Sequence, residues 1–323
     1  MKAIRFDRTG GPEVLQLVDI DLPDPGPGEV QLKHTVIGLN FADTYYRSGL
    51  YPSQLPSGLG NEAAGVVTKL GRGVKNLKVG DRVAYGTGPL AAYQEARNFP
   101  ANRLIKLPKE ISDEVAAGMI LKGMTARYLL RATYKVKKGQ TVLFHAAAGG
   151  VGLIFGQWAK ALGVKAIGTV GSDEKAALAK KHGYAYVINS ETEDVVKRVR
   201  EITKGKGVPV VYDGVGQATF NISLDCLSPL GLLVSFGNAS GAVTGINLGI
   251  LAGKGSLYVT RPTLGTYVTT DADFAATARD LVNVVKSGKV KIRINQRYRL
   301  ADAAKAHEDL QARRTTGATV LIP

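Results

Sequence analysis

Residues 145–152 read HAAAGGVG. After the histidine every position is Ala, Gly or Val, between the apolar run TVLF (141–144) and the apolar run LIFGQWAKALG (153–163). Either the chain needs only a tight turn here, or a ligand must come very close to the backbone. Read as the fingerprint G-x-G-x-x-G, the three slots fall on Ala147, Gly149 and Gly152, with Ala in the first. Small residues in those slots let the turn close, let a pyrophosphate approach the main chain and let the helix lie close on the strand. The N-terminus of that helix then offers N–H groups and the positive end of its dipole to phosphate. Alone the fingerprint is weak. Here it follows a strand pattern, opens a helix pattern and stands in a series of such units, so a dinucleotide site is the reading adopted.

Outward from this turn the rhythm is repeated βα. KAIGTVG precedes DEKAALAKKHG, YVIN precedes DVVKRVREITKG, PVVYDGVG precedes ATFNISLDCLS, and GLLVSFG closes the series. Such repetition marks a parallel, doubly wound sheet. Before about Ile120 the pattern differs. VQLKHTVIGLN (30–40), EAAGVVTKLG and VGDRVAY are short strand patterns cut by Gly and Pro, the spacing of a mostly antiparallel, barrel-like unit. The tail changes again: an amphipathic helix over 273–288, the run IRINQRYRL, a helix ADAAKAHEDLQARR and a closing strand ATVLIP. It most simply returns to the first unit.

The length of 323 residues suits about two domains. Hydrophobic residues at 45% and charged residues at 21% are ordinary for a globular chain. No stretch reaches the roughly 18 apolar residues of a membrane span, so no membrane partner is expected. No charged-then-apolar leader follows Met1, and Cys226 is the single cysteine. A reducing cytoplasm is the expected compartment. The net charge of +15 can mean nucleic acid, an anionic small ligand or a solvated surface. The basic residues are spread out, and no RNP or zinc-finger spacing accompanies them. Nucleic acid is therefore a possible partner, not the expected one; the charge is read as a surface that attracts an anionic cofactor.

The second strand of the βα series ends at Gly171, with no acid at its end to claim a ribose 2′-OH. Ser172 and Lys175 follow and can hold a 2′-phosphate, although Asp173 and Glu174 stand between them. NADPH is the expected cofactor. Four histidines and one cysteine lie scattered without ligand spacing, so no metal is expected. No G-x-S-x-G elbow is present. NFADTYYRSGLYP (40–52), an aromatic-rich loop outside the βα series, is the best source of a substrate pocket; its tyrosines can also merely pack.

The run GQTVLFHAAAGGVGLIFGQWAK (139–160) is similar to the signature of the quinone oxidoreductase/zeta-crystallin family, zinc-free members of the medium-chain dehydrogenase/reductase superfamily. The resemblance spans the chain through GGPEVL (10–15), residues 40–52, GLGNEAAGVV (58–67), LKGMTARYLL (121–130), SFGNASGAVTG (235–245) and SLYVTRPTL (256–264). It implies an α/β protein with a GroES-like, mostly-β barrel domain over 1–123 plus 264–323 and a Rossmann domain over 124–263. It implies a zinc-free reductase, because Asn61 stands where zinc relatives carry His. By position, Phe41, Ala42, Asp43 and Tyr45 would line the nicotinamide end, and Asn40 and Tyr51 would sit near the substrate. Thr125 and Tyr128 would flank the cofactor, Gly150 and Val151 the pyrophosphate, and Gly171 and Lys175 the adenosine phosphate. Phe236, Gly237, Asn238 and Ala239 would meet the nicotinamide ribose, and Arg313 would reach the cofactor from the tail. Ser190 takes the place of a Tyr that close relatives hold near the 2′-phosphate.

The expected reaction is transfer of hydride or electrons from NADPH to a quinone. Phe41, Tyr45 and Tyr51 offer faces on which a planar ring can stack. Reduction of α,β-unsaturated carbonyls needs the same cofactor and a similar pocket, and zeta-crystallin relatives bind AU-rich RNA, so both stand as alternatives. The family dimerises through the edge of its Rossmann sheet, and SLYVTR (256–261) is the strand expected there.

Overall fold

In the N-terminal third, apolar runs cut by Gly and Pro become short strands: β1 (Lys2–Phe6), β2 (Gln16–Asp19), β3 (Glu29–Leu39), β4 (Ser57–Gly58), β5 (Glu62–Leu70), β6 (Arg82–Tyr85), β7 (Ala96–Pro100) and β8 (Ile105–Lys106). The helix α1 (Phe41–Ser48) interrupts them, and α2 (Asp113–Tyr128) follows β8. In the computed structural model, which describes residues 1–323, the chain forms two compact units. One comprises Met1–Met124, Val268–Lys286 and Ile292–Pro323, and the other Thr125–Tyr267 with Ser287–Lys291.

The first unit is the barrel-like one. Val30, Leu32 and His34 of β3 alternate inward, and from Val36 to Leu39 the strand is buried on both faces. It pairs antiparallel with β5 and β7. Phe6, Leu32, Tyr85, Tyr93 and Phe99 form part of the core between the strands. The tail adds α9 (Asp271–Lys286), β15 (Ile294–Arg299), α10 (Ala303–Gln311) and β16 (Ala318–Ile322) to this unit. β16 pairs antiparallel with β3 at Thr319–Leu39, so the tail completes the seven-stranded sheet β15-β16-β3-β5-β6-β8, with β7 also on β3.

The second unit follows the βα rhythm. Its strands are β9 (Thr141–Phe144), β10 (Lys165–Val170), β11 (Tyr186–Asn189), β12 (Val208–Asp213), β13 (Leu227–Ser235) and β14 (Tyr258–Thr260). The helices between them are α3 (Gly150–Ala161), α4 (Asp173–Lys181), α5 (Val195–Ile202), α6 (Phe220–Cys226) and α7 (Gly249–Gly253), and α8 (Leu264–Tyr267) follows. All neighbours are parallel, in the order β11-β10-β9-β12-β13-β14. This is a doubly wound Rossmann sheet, as the rhythm implied. The order reverses between β9 and β12, where such sheets bind ligands at the carboxyl ends of the strands. No helix is long and apolar enough to cross a membrane.

Two helices depart from the expectation. Residues 41–48 form α1 where an irregular loop was expected. The backbone N–H of Asn40, the N-cap, donates to Asp43 three residues on (2.9 Å), and Gly49 ends the helix at φ +83°. The 16-residue α2 lies where strands were expected to end. It shows no amphipathic stripe because it is buried almost all round, including Ala116, Ala117, Met119, Ile120 and Met124. Gly38 lets it approach the sheet: a Cβ there would stand 2.2 Å from the Ala117 carbonyl oxygen.

A buried ion pair fixes α2. Glu62, at the start of β5, is fully buried; its carboxylate accepts from Lys122 Nζ (2.8 Å), the Leu121 N–H (2.8 Å) and Asn40 Nδ2 (2.9 Å). Removing one partner of such a pair strands the other charge, at a cost of about 3–5 kcal/mol. Lys122→Met should lower the unfolding free energy by about that amount in a urea titration, and adding Glu62→Gln should recover a large part of it. A single variant as stable as the parent would show that Glu62 needs no counter-charge.

Candidate functional site

The turn quoted at the outset joins β9 to α3. Ala146 adopts φ +57°, and the Ala147 N–H donates to the Thr169 carbonyl (2.9 Å), which ties the turn to the end of β10. Gly149 is the N-cap of α3. The first helical bond runs from the Leu153 N–H to the Gly149 carbonyl (3.0 Å), so the N–H groups of Gly150, Val151 and Gly152 precede it. A Cβ on Gly152 would lie 2.5 Å from the Ala147 carbonyl oxygen and 2.7 Å from that of Ala146. The last glycine of the fingerprint is therefore required by helix–turn contact, and the first turn is left without bulky side chains in front of its N–H groups.

At the end of β10, Gly171 is exposed, and an added Cβ would meet Glu191 Oε1 at 3.6 Å, an ordinary contact. Ser172 caps α4, its Oγ accepting from the Lys175 N–H (3.3 Å). Asp173 and Glu174 are engaged locally. Asp173 accepts from Asn189 Nδ2 (2.9 Å), and a hydrogen bond with Ser172 lowers the pKa of Glu174. The Ser190 hydroxyl donates to the Val170 carbonyl (3.0 Å), which places Ser190 beside the same strand end. Ser172 and Lys175 are half-buried.

The ends of β12 and β13 are joined. The Phe236 N–H donates to the Asp213 carbonyl (2.8 Å), and that of Ala239 to the Gly214 carbonyl (3.2 Å). A Cβ on Gly237 would stand 2.4 Å from the Gly214 carbonyl oxygen. The ring of Phe236 lies 5.6 Å from that of Phe144. Asn238 lies between Gly237 and Ala239 in the same segment. Asp213, which sequence reasoning passed over, organises this end. One carboxylate oxygen accepts from the N–H groups of Val215 and Gly216, the other from the hydroxyls of Thr219 and Ser223. The D-G-V-G run carried that Asx-turn signal. His145 is buried, its Nδ1 2.9 Å from Thr169 Oγ1 and its Nε2 without a hydrogen-bond partner. Thr125 and Tyr128 are buried in the last turns of α2, where Tyr128 stacks on Tyr267 at 4.7 Å and 8°.

The barrel unit holds the aromatic segment. Phe41 and Tyr45, one helical turn apart in α1, have ring centroids 5.7 Å apart, and Tyr51 meets Tyr45 edge-on at 5.1 Å. The Tyr51 N–H donates to the Tyr45 carbonyl (3.0 Å), folding the segment after α1 back onto it. Ala42 lies in the first turn. Asn40 turns its amide inward to Glu62. Asp43 is fully buried, accepting from the Asn40 N–H (2.9 Å), Tyr93 Oη (2.9 Å) and Asn61 Nδ2 (3.1 Å). Burial pushes its pKa up to about 6, against the pull of those three donors. Arg313 follows α10, exposed and at φ +59°. No group of three or more His, Cys, Asp or Glu side chains is placed to hold a metal ion.

These residues fit a nicotinamide dinucleotide. The cradle has no room for a side chain at Gly152, and Gly171 stands at the second strand end beside a serine and a lysine. Residues 26–109 match the family described as alcohol dehydrogenase GroES-like domain, and residues 150–283 the zinc-binding dehydrogenase family. The chain is 58% identical over 323 residues to a quinone oxidoreductase of Pseudomonas aeruginosa, covering 100% of this chain and 99% of that one. It superposes on Escherichia coli quinone oxidoreductase complexed with NADPH with a TM-score of 0.99 at 54% identity, covering all of both chains. A 2-haloacrylate reductase of Burkholderia is 44% identical, over 98% of this chain and 97% of that protein. The chain thus belongs to the quinone oxidoreductase family of the medium-chain dehydrogenases/reductases.

Proposed function

We propose that this protein is an NADPH-dependent quinone reductase. The observation that carries the reading is the full-length likeness to a quinone oxidoreductase complexed with NADPH, joined to a second strand that ends in Gly171 and not in an acid. NADPH, when bound, supplies the hydride or the electrons. The protein's residues bind, orient and shield. The N–H groups of Gly150 and Val151, in the turn that Gly149 opens, receive the pyrophosphate. Ser172, Lys175 and Ser190, beside Gly171, receive the 2′-phosphate. Thr125 and Tyr128 flank the cofactor, the segment Phe236–Ala239 meets the nicotinamide ribose, and Arg313 reaches the cofactor from the tail. Phe41, Ala42 and Tyr45 line the nicotinamide, with the fully buried Asp43 behind them, and Asn40 and Tyr51 lie near the quinone.

A quinone suits such a site. Its reduced form is aromatic, and its oxygens take protons readily from solvent, so orientation against the nicotinamide is the main demand on the protein. Apolar rings provide that orientation by stacking. The likeness to a 2-haloacrylate reductase supports a second reading, reduction of an activated carbon–carbon double bond in the same site. Steady-state rates with NADPH and a panel of quinones and enals distinguish the two. Faster turnover of every enal than of any quinone would reverse their order. The expected setting is the cytoplasm, and no nucleic-acid partner is part of this reading.

A second copy of the chain is the proposed partner. β14 is the open edge of the Rossmann sheet, and Tyr258 and Val259 on it are 60% and 41% exposed. An unpaired, apolar edge is a template for pairing with another strand. Light scattering should give about twice the chain mass of 34.2 kDa. A monomer at high concentration would remove the dimer from this account.

The cofactor preference rests on Lys175. A 2′-phosphate would gain charge-assisted hydrogen bonds from Lys175 and Ser172, each worth about 1.5–3 kcal/mol before desolvation. A net preference for NADPH of about tenfold to a hundredfold is expected, each ~1.4 kcal/mol being tenfold. Lys175→Glu should erase that preference by weakening NADPH while leaving NADH nearly unchanged, read as kcat/KM for both cofactors. Equal losses for the two would make Lys175 a plain surface charge.

A further inference from the structure

Behind Asp43 runs a chain of buried polar groups that cofactor binding does not use. Tyr93 Oη lies 2.9 Å from Asp43 Oδ2 and 3.1 Å from His307 Nε2. His307 Nδ1 lies 3.1 Å from Arg47 Nη1. Arg47 also donates to Gln311 Oε1 (2.8 Å) and to the Gly10 carbonyl (3.1 Å). Arg47, Tyr93, His307 and Asp43 are each 2% exposed or less.

The chemistry of the end groups gives this chain one direction. A guanidinium only donates, so His307 Nδ1 accepts and Nε2 carries the proton. Nε2–H then donates to the Tyr93 oxygen, which leaves the Tyr93 hydroxyl proton for Asp43. Burial and the neighbouring Arg47 push His307 down to about 3, so the ring stays neutral and this tautomer persists. Asp43 in turn accepts from Asn61 Nδ2 and from the N-cap N–H of α1, so its orientation fixes both.

We infer that Arg47, His307 and Tyr93 are positioning residues of the reductase: their one-way chain holds Asp43 as an acceptor and, through Asp43, sets the Asn61 amide and the first turn of α1 for the bound quinone. The inference rests on the reading that α1 and Tyr51 line the nicotinamide and the quinone. Core packing alone does not call for such a chain, since well-packed apolar side chains replace buried ionic groups at no loss of stability in many proteins. Charged and titratable groups surround Asp43 from several elements. Tyr46 and Arg47 share its helix, Glu62 begins β5, Lys122 lies on α2, Tyr93 precedes β7 and His307 lies on α10; Glu13 faces Arg47. Above about pH 6 Asp43 is ionised and serves three donors. Below that pH, a proton on the carboxyl competes with one of them and the chain opens. Removing the Tyr93 hydroxyl removes a donor that favours the ionised form, so the opening moves to higher pH.

The test is the pH profile of kcat for benzoquinone reduction, with NADPH binding followed separately by fluorescence. Wild type should lose turnover below about pH 6. Tyr93→Phe keeps the ring and should move this acid limb up by about one to two pH units, the effect of one hydrogen bond to a charged group, with NADPH affinity unchanged. His307→Leu should behave alike. His307→Gln has both an acceptor for Arg47 and a donor for Tyr93, and should keep the wild-type profile. Profiles of Tyr93→Phe and His307→Leu that superimpose on wild type, with only thermal stability lowered, would overturn the inference, as would a wild-type profile flat through this range. Tyr51→Ala separates the two levels. An unchanged quinone KM in that variant removes the reading of α1 and Tyr51, whereas a raised KM with unmoved Tyr93→Phe and His307→Leu profiles removes the inference alone.

Discussion

The close approach of α3 to the turn before it is the constraint on which the nucleotide end depends. At Gly152 the helix lies so near the carbonyl oxygens of Ala146 and Ala147 that any side chain would overlap them. That contact sets where α3 begins. It brings the N–H groups of Gly150 and Val151 to the reversal point of the sheet, between β9 and β12. Its neighbours reinforce it: Ala147 is bonded to Thr169 of β10, and the segments after β12 and β13 are held together at Gly214 and Gly237 by an equally close approach. The strand ends form one framework of backbone with small residues wherever a ligand must come near.

The barrel unit solves a different problem, that of two fully buried carboxylates. Glu62 has a cation, Lys122, at 2.8 Å and serves to fix α2 against the sheet. Asp43 has three neutral donors instead, and its nearest guanidinium is reached only through Tyr93 and His307. The consequence is chemical. Burial raises the pKa of Asp43 to about 6, and its three hydrogen bonds pull it back only in part. Asn61 donates to this carboxylate at 3.1 Å.

What was legible in the sequence was local. The run HAAAGGVG, the βα rhythm and the missing acid at Gly171 depend on neighbours in the chain, so spacing alone revealed the Rossmann sheet and pointed to its ligand. The helix α1, expected as a loop, is rich in aromatic residues of modest helix propensity, and its signals lie only at its ends, Asn40 with Asp43 at the start and Gly49 at the end. The helix α2 carried no signal of its own: buried nearly all round, it has no polar face for a period to show. The chain behind Asp43 was beyond spacing altogether. His307 is separated by 260 residues from Arg47 and by 214 from Tyr93, and only the return of the tail to the barrel sheet places it beside them.

The central claim, that this chain moves hydride or electrons from NADPH to a quinone, is tested most directly by a single turnover. The protein, loaded with one equivalent of NADPH under exclusion of oxygen, is mixed with excess benzoquinone while nicotinamide absorbance is followed. The expected result is rapid loss of the reduced-cofactor signal, with hydroquinone formed in equal amount and no loss when the quinone is omitted. Tight binding of NADPH with absorbance unchanged in the presence of every quinone tried would contradict the account.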